Sequence, residues 1–277
     1  RVNAWPMDEG LIDYVTADYR HHEGNPHALE DIIGAQRSPI TDELIAEYSS
    51  GTNPKEAPVA TTTISDIETN ATRGYHAIEF LLWGQDLGNA PDEPGQRPHT
   101  DFLPGEACTG GACNRRRDYL AAATRLLMAD LRFMTLDWDP GGRLYASRFA
   151  ELPVAERLDR MVEGLGTLAY AELAAERMQV ALLTSDQEEE QSCFSDTTHH
   201  AIAHNAASIA SLYLGRHERL DGRLVSGPSL SDLVAHVDPD LDARLRRRFE
   251  LTADLTGQLG SLADAGQPFD VLIRADH

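Results

Sequence analysis

Apolar residues recur along this chain at intervals of three and four, the spacing that holds them on one side of an α-helix. The pattern runs first over 8–20, through Leu11, Ile12, Tyr14, Val15 and Tyr19, with Asp8 and Glu9 in the first turn, where acids suit the helix dipole. A shorter helix is predicted over 26–34, opened by Pro26 and closed by Gly34, and another from Thr41 to Ser50. The segment 62–84 reads as one long helix through Ile64, Ile67, Ala71, Tyr75, Ile78, Leu82 and Trp83. Further helices are expected over 114–137, 153–183, 196–214, 229–236 and 238–265. Asp196 is the expected N-cap of the third of these, and Asp238-Pro239 opens the last. Gly164 and Gly166 are expected to mark a kink or a close helix contact. No stretch alternates apolar and polar residues well enough to predict a strand. Helices of this length joined by loops imply an all-α protein of helical bundles.

The exception to the periodicity is 85–113, a long connection rich in glycine, proline and polar residues. Irregular connections this long are functional or stapled. Here Cys108 and Cys113 flank Thr109-Gly110-Gly111-Ala112, and two glycines in so short a loop let the chain turn back on itself. A small-loop disulfide is the expectation, with two free thiols or half of a metal clip as alternatives. Cys193 is left over and is expected to be buried. The same connection suits a boundary between two bundles, 1–105 and 106–277.

Composition narrows the function. Hydrophobic residues are 42% of the 277, enough for a sizeable core. The formal net charge of -21 argues against nucleic acid and anionic lipid as partners, because both need a basic face. No run of about 18 apolar residues occurs, so no membrane-spanning helix is predicted. No signal peptide is visible; the opening Arg1-Val2-Asn3-Ala4 reads as the middle of a longer chain.

Three segments carry candidate chemistry. In Gly74-Tyr75-His76-Ala77-Ile78-Glu79, a histidine and a glutamate three residues apart share a helix face, and an imidazole nitrogen with a carboxylate oxygen at that spacing suits a transition-metal ion. Gly74 lets a neighbour approach closely. The competing reading is that the two simply pair with each other or with Arg73. In Ser192-Cys193-Phe194-Ser195-Asp196-Thr197-Thr198-His199, the plain reading is helix capping by Asp196 and the hydroxyls. The sharper one is that Asp196 or His199 reaches toward a metal. In Ala4-Trp5-Pro6-Met7-Asp8-Glu9, Trp5-Pro6 sets the entry into a helix, and Glu9 and Asp13 lie on one face. G-x-S-x-G, P-loop, Rossmann and H-E-x-x-H patterns do not occur.

Together these segments resemble the imelysin family, whose marks are a Gly-x-His-x-x-Glu helix, an upstream Arg-x-x-Ala-Trp-Pro-x-x-Glu and a downstream Ser-Cys-Phe-Ser-Asp-x-Thr-His. They stand here, in that order, at Arg1 to Glu9, Gly74 to Glu79 and Ser192 to His199, with Gly84 and Asn205 also matching. The chain departs from the pattern at Thr197, where the family usually has asparagine, and at His200-Ala201, where it has a charged pair. The resemblance implies an exported bacterial protein, periplasmic or associated with the outer membrane, linked to iron uptake. It also implies a fold of two helical bundles with the site between them, the first bundle incomplete at its N-terminus here. His76 and Glu79 take the presumed ligand roles, with Glu9, Asp13, Asp196 and His199 as additional site residues; Arg1, Trp5, Gly74, Cys193 and Ser195 support the motifs. The expected cofactor is a metal ion, iron ahead of zinc. The expected partners are that ion or a small iron-containing ligand, and other envelope iron-uptake proteins. The alternative is a metallopeptidase. The family is classed among peptidases, but the second histidine of helical zinc peptidases, four residues beyond His76, is replaced by Phe80.

Overall fold

The computed structural model describes residues 74–84, 86, 93–139, 141 and 145–274. The helices expected before residue 74, and with them Arg1, Trp5, Glu9 and Asp13, lie outside the described residues. The described part is all-helical apart from one small hairpin. The described residues divide into two compact units, one ending at Leu152 and the other beginning at Pro153.

In the first unit, α1 (Tyr75–Trp83) lies between two glycines with left-handed backbone, Gly74 at φ 98° and Gly84 at φ 81°. It buries His76, Ala77, Phe80 and Leu81. Nine residues do not hold a helix alone in water, so packing against a neighbour stabilises it. That neighbour is α2 (Cys113–Asp137), which buries Arg116, Tyr119, Ala122, Ala123 and Leu127 at helical spacing. The connection between them forms two 3₁₀ turns, His99–Phe102 and Gly105–Ala107, and is closed by a disulfide between Cys108 and Cys113. Beyond α2, the ring of Trp138 sits 5.0 Å from that of Tyr145 at the start of α3 (Tyr145–Glu151), a helix that the sequence periodicity did not predict.

The second unit opens with a helical stretch from 154 to 184, close to the expected 153–183. Its centre is not α-helical. α4 (Val154–Gly166) runs into a π-helical segment, Thr167–Gln179, and then into α5 (Val180–Thr184). Leu168, Leu173 and Met178 recur every five residues and all meet the core. Glu172 and Arg177, also five apart, lie 3.9 Å from each other. Both spacings match the i→i+5 period of a π-helix. A Cβ on Gly166 would meet open space, so the expected close contact does not occur at that glycine.

α6 (Thr198–Leu214) ends at Gly215, which is left-handed at φ 61°. The prediction of no strand is corrected by β1 (Arg216–Glu218) and β2 (Leu224–Ser226), antiparallel with His217 opposite Val225. Every residue of the two strands is exposed, and each strand is three residues long, too short to show alternation. Their turn spans Arg219–Gly222: the Gly222 amide donates to Arg219 O at 2.8 Å, and Gly222 takes a left-handed backbone at φ 78°. α7 (Leu230–Val237) begins in a capping box between Ser229 and Asp232. In α8 (Pro239–Asp264), Asp238 accepts from the Leu241 amide. A short α9 (Phe269–Arg274) closes the described chain. The core joins Leu173, Ala181, Ile202, Ala206, Ile209, Phe269 and Ile273.

Candidate functional site

Helix α1 presents the first candidate. His76 and Glu79 lie one turn apart, and their side chains meet, with Nδ1 and Oε2 at 2.7 Å. Both are largely withdrawn from solvent, at 8% and 11% side-chain exposure. A carboxylate only accepts, so the proton in this bond sits on Nδ1. In the neutral ring the lone pair is then on Nε2, the nitrogen turned away from Glu79. This is the arrangement in which a carboxylate fixes the tautomer of a metal-binding histidine. An imidazole nitrogen and a carboxylate oxygen are also the donor types that borderline transition ions take. The residues therefore fit a metal, with Glu79 placed to orient His76. Phe80 is buried at 2% exposure where a helical zinc peptidase has its second histidine.

The second candidate lies wholly in the other unit. Glu190, Asp196 and Asp270 are all buried, and one carboxylate oxygen of each comes within 4.8 Å of the others. Glu190 follows a 3₁₀ turn, Gln187–Glu189. Asp270 is in the first turn of α9, where the Arg274 guanidinium contacts its carboxylate and Arg274 Nε donates to its backbone oxygen at 3.1 Å. Three carboxylates so close repel one another unless positive charge lies among them; Arg274 supplies part of it. An all-oxygen set suits hard cations.

Asp196 reaches this cluster by giving up its expected role. Thr197, with no side-chain cap, stands at the N-cap of α6, and Asp196 adopts a left-handed backbone at φ 53°. The hydroxyls of the motif do bond locally. Ser195 Oγ and Thr197 Oγ1 are 2.7 Å apart, and Thr198 Oγ1 accepts from the Ser192 amide at 2.9 Å. Cys193 is buried and takes no part in the disulfide. His199 is buried, and its ring lies 4.2 Å from that of His200. Burial pushes the His199 pKa down; the neighbouring His200 adds to this, and Asp264 and the Asp196 backbone oppose it. Sequence reasoning did not single out Glu190 or Asp270. A signal was present for Asp270, a lone acid in the apolar run Phe269-Asp270-Val271-Leu272-Ile273.

The imelysin family, a peptidase family designated M75, matches residues 1–276 of the chain. The protein belongs to that family. No curated protein matches it. Among the described residues no helix is long and apolar enough to cross a membrane.

Proposed function

We propose that this protein is an imelysin-like metal-binding protein of bacterial iron uptake, exported to the periplasm or the outer-membrane surface, that binds its ion through the helix turn of His76 and Glu79, with Glu79 also orienting the imidazole. The observation that carries the reading is the 2.7 Å contact of His76 with Glu79 on a buried helix face, within the Gly-x-His-x-x-Glu signature of the family. Glu79 holds Nδ1 and so directs Nε2 to the ion. Iron comes first for a site with one imidazole and oxygen donors, and zinc second. Asp196, within its carboxylate cluster, and His199 support cation handling in the other unit; Glu9 and Asp13 remain proposed site residues. The proposed partners are the ion or a small iron-containing ligand, and other envelope proteins of iron uptake. The bound ion would supply charge recognition, with no chemical step required. His76→Ala is expected to weaken binding of Fe(II) and Zn(II) by about tenfold or more in a calorimetric titration; equal affinities in variant and wild type would remove His76 from the site.

The peptidase designation of the family favours a second reading, a metallopeptidase. A bound ion would then activate water, with a carboxylate as general base. Cleavage of unstructured peptides that stops on adding a chelator and returns with metal would establish it. No cleavage under metal-loaded conditions leaves the binding role.

A further inference from the structure

The loop that closes on the Cys108–Cys113 disulfide is mechanically continuous with the helix that carries His76. Asp101 is the hub. It is buried at 6% exposure, and its carboxylate accepts from Thr109 at 3.0 Å and from Arg97 at 3.5 Å, with Arg116 3.8 Å away. Arg116 also donates to the backbone oxygens of Asp101 at 2.9 Å and Gly111 at 3.2 Å. The glycine in the disulfide ring is pressed against the same carboxylate: a Cβ on Gly110 would stand 2.3 Å from Asp101 Oδ2. On the other side, Arg97 grips the last turn of α1. Its amide donates to Trp83 O at 2.8 Å, its guanidinium donates to Phe80 O at 3.4 Å, and it lies over the Phe80 ring at 5.4 Å. A Cβ on Gly95 would be 2.6 Å from Trp83 O and 2.9 Å from Gly84 O, so the loop lies directly on the carboxyl end of α1. Phe80 adjoins Glu79 in sequence. The contacts run from the disulfide loop through Asp101 and Arg97 to Phe80 and the carboxyl end of α1, the helix that carries His76 and Glu79, all within one compact unit.

The sulfur pair is asymmetric in a way that favours opening. Cys113 is 3% exposed and is the first residue of the 25-residue α2, where the positive end of the helix dipole favours a thiolate leaving group. Cys108 is the more accessible partner. Ala112 between them is held at φ 48°, a left-handed backbone unfavourable for a residue with a Cβ. Ring opening lets it relax.

We propose that the Cys108–Cys113 disulfide is a redox-controlled clasp, and that its reduction by a dithiol loosens the Asp101–Arg97 grip on α1 and weakens cation uptake at His76. The last clause rests on the metal-binding reading above; the clasp does not. A thiolate of the dithiol attacks Cys108 Sγ, the S–S bond breaks, and Cys113 leaves with the electron pair as a thiolate. The second thiolate of the reagent attacks the mixed disulfide and expels Cys108. The dithiol ends as a disulfide, oxidised by two electrons; the protein pair is reduced by two, and the protons of the reagent pass to the protein sulfurs and solvent.

The test measures amide hydrogen exchange on the full chain, oxidised and after dithiothreitol. It also titrates Zn(II) into the oxidised wild type, His76→Ala, the double variant Cys108→Ser/Cys113→Ser, and Asp101→Asn, which opens the hub with the disulfide intact. Faster exchange at 80–84 as well as 97–112 on reduction, reversed by reoxidation, together with Zn(II) binding about fivefold or more weaker in the double variant and in Asp101→Asn, is the expected result. Reduction that speeds exchange only within 105–112 overturns the clasp; unchanged affinity in both variants overturns its control of cation uptake. Failure of the oxidised wild type to bind Zn(II), or equal binding by His76→Ala, refutes the metal reading; the exchange result then decides the clasp alone. Reduction of the native protein needs no variant, so poor folding of Asp101→Asn leaves the test intact.

Discussion

His199 shows how one buried ring couples stability to pH. Its pKa is lowered in the folded chain, first by burial and then by His200. The native state therefore favours the neutral ring, and this contribution is complete above the unfolded value of 6.5. As pH falls from there toward the lower native value, the unfolded chain takes up the proton first and stability is lost. Denaturant unfolding between about pH 7.5 and 5 is expected to show this fall, and His199→Gln to flatten it. An unchanged slope in the variant would assign the pH response elsewhere. At Glu79 the reasoning is geometric: the carboxylate that pairs with Nδ1 decides which nitrogen of His76 presents its lone pair.

Between helices, a polar network centred on Asp242 joins α6, α7 and α8. Tyr213 on α6 donates to Asp242 Oδ1 on α8 at 2.9 Å, and the Ser231 hydroxyl on α7 donates to the same oxygen. Arg246 donates to Asp242 Oδ2 at 2.8 Å and to Ser231 Oγ at 2.6 Å. The Ser231 hydroxyl, then Arg246 and Tyr213, hold the Asp242 carboxyl below its usual range. Burial, then the bond to Asp242, pushes the Tyr213 phenol up to about 12. The two windows have opposite signs. The Asp242 contribution is present above the ordinary carboxylate pKa and is lost as pH falls through the depressed native value. That of Tyr213 is present below the ordinary phenol pKa and is lost as pH rises toward 12. Asp242→Asn takes the charge from three converging donors and is expected to lower Tm by at least a few degrees, more than Tyr213→Phe. Thermal melts of the two variants check the order, and a Tm equal to wild type in Asp242→Asn would show that the tie does not hold the three helices.

For the chain as a whole, charge dominates. A formal net charge of -21 sets the compact state against its own repulsion. Raising salt from about 0.01 M to 0.3 M shortens the screening length severalfold. Tm is expected to rise over that range, more in sodium chloride than in an equal osmolarity of sucrose. A flat or falling Tm in salt would mean that attractive ion pairs such as Arg116 with Asp101 outweigh the repulsion. The same field raises the local concentration of cations around both candidate sites, a condition that suits the proposed ion binding.

Much of this fold is written in local spacing. The helices over 113–137, 198–214, 230–237 and 239–264 stand where apolar periodicity puts them, the last two also behind their Ser229 and Asp238 caps, because a helix is made by residues within a few positions of one another. The disulfide was legible for the same reason: its ring is short and holds two glycines. The pairing of His76 with Glu79 follows from one helical turn. The π segment carried its five-residue spacing at Leu168, Leu173 and Met178, yet over so few turns this period is hard to tell from that of an α-helix. Long-range packing supplied the rest. Glu190, Asp196 and Asp270 become neighbours only when α9 folds back beside the start of α6. Asp101 becomes a hub only when two arginines from either side of the loop close on it. No pattern of neighbouring letters records such meetings, because the energy that brings them about comes from burying surfaces made by distant parts of the chain.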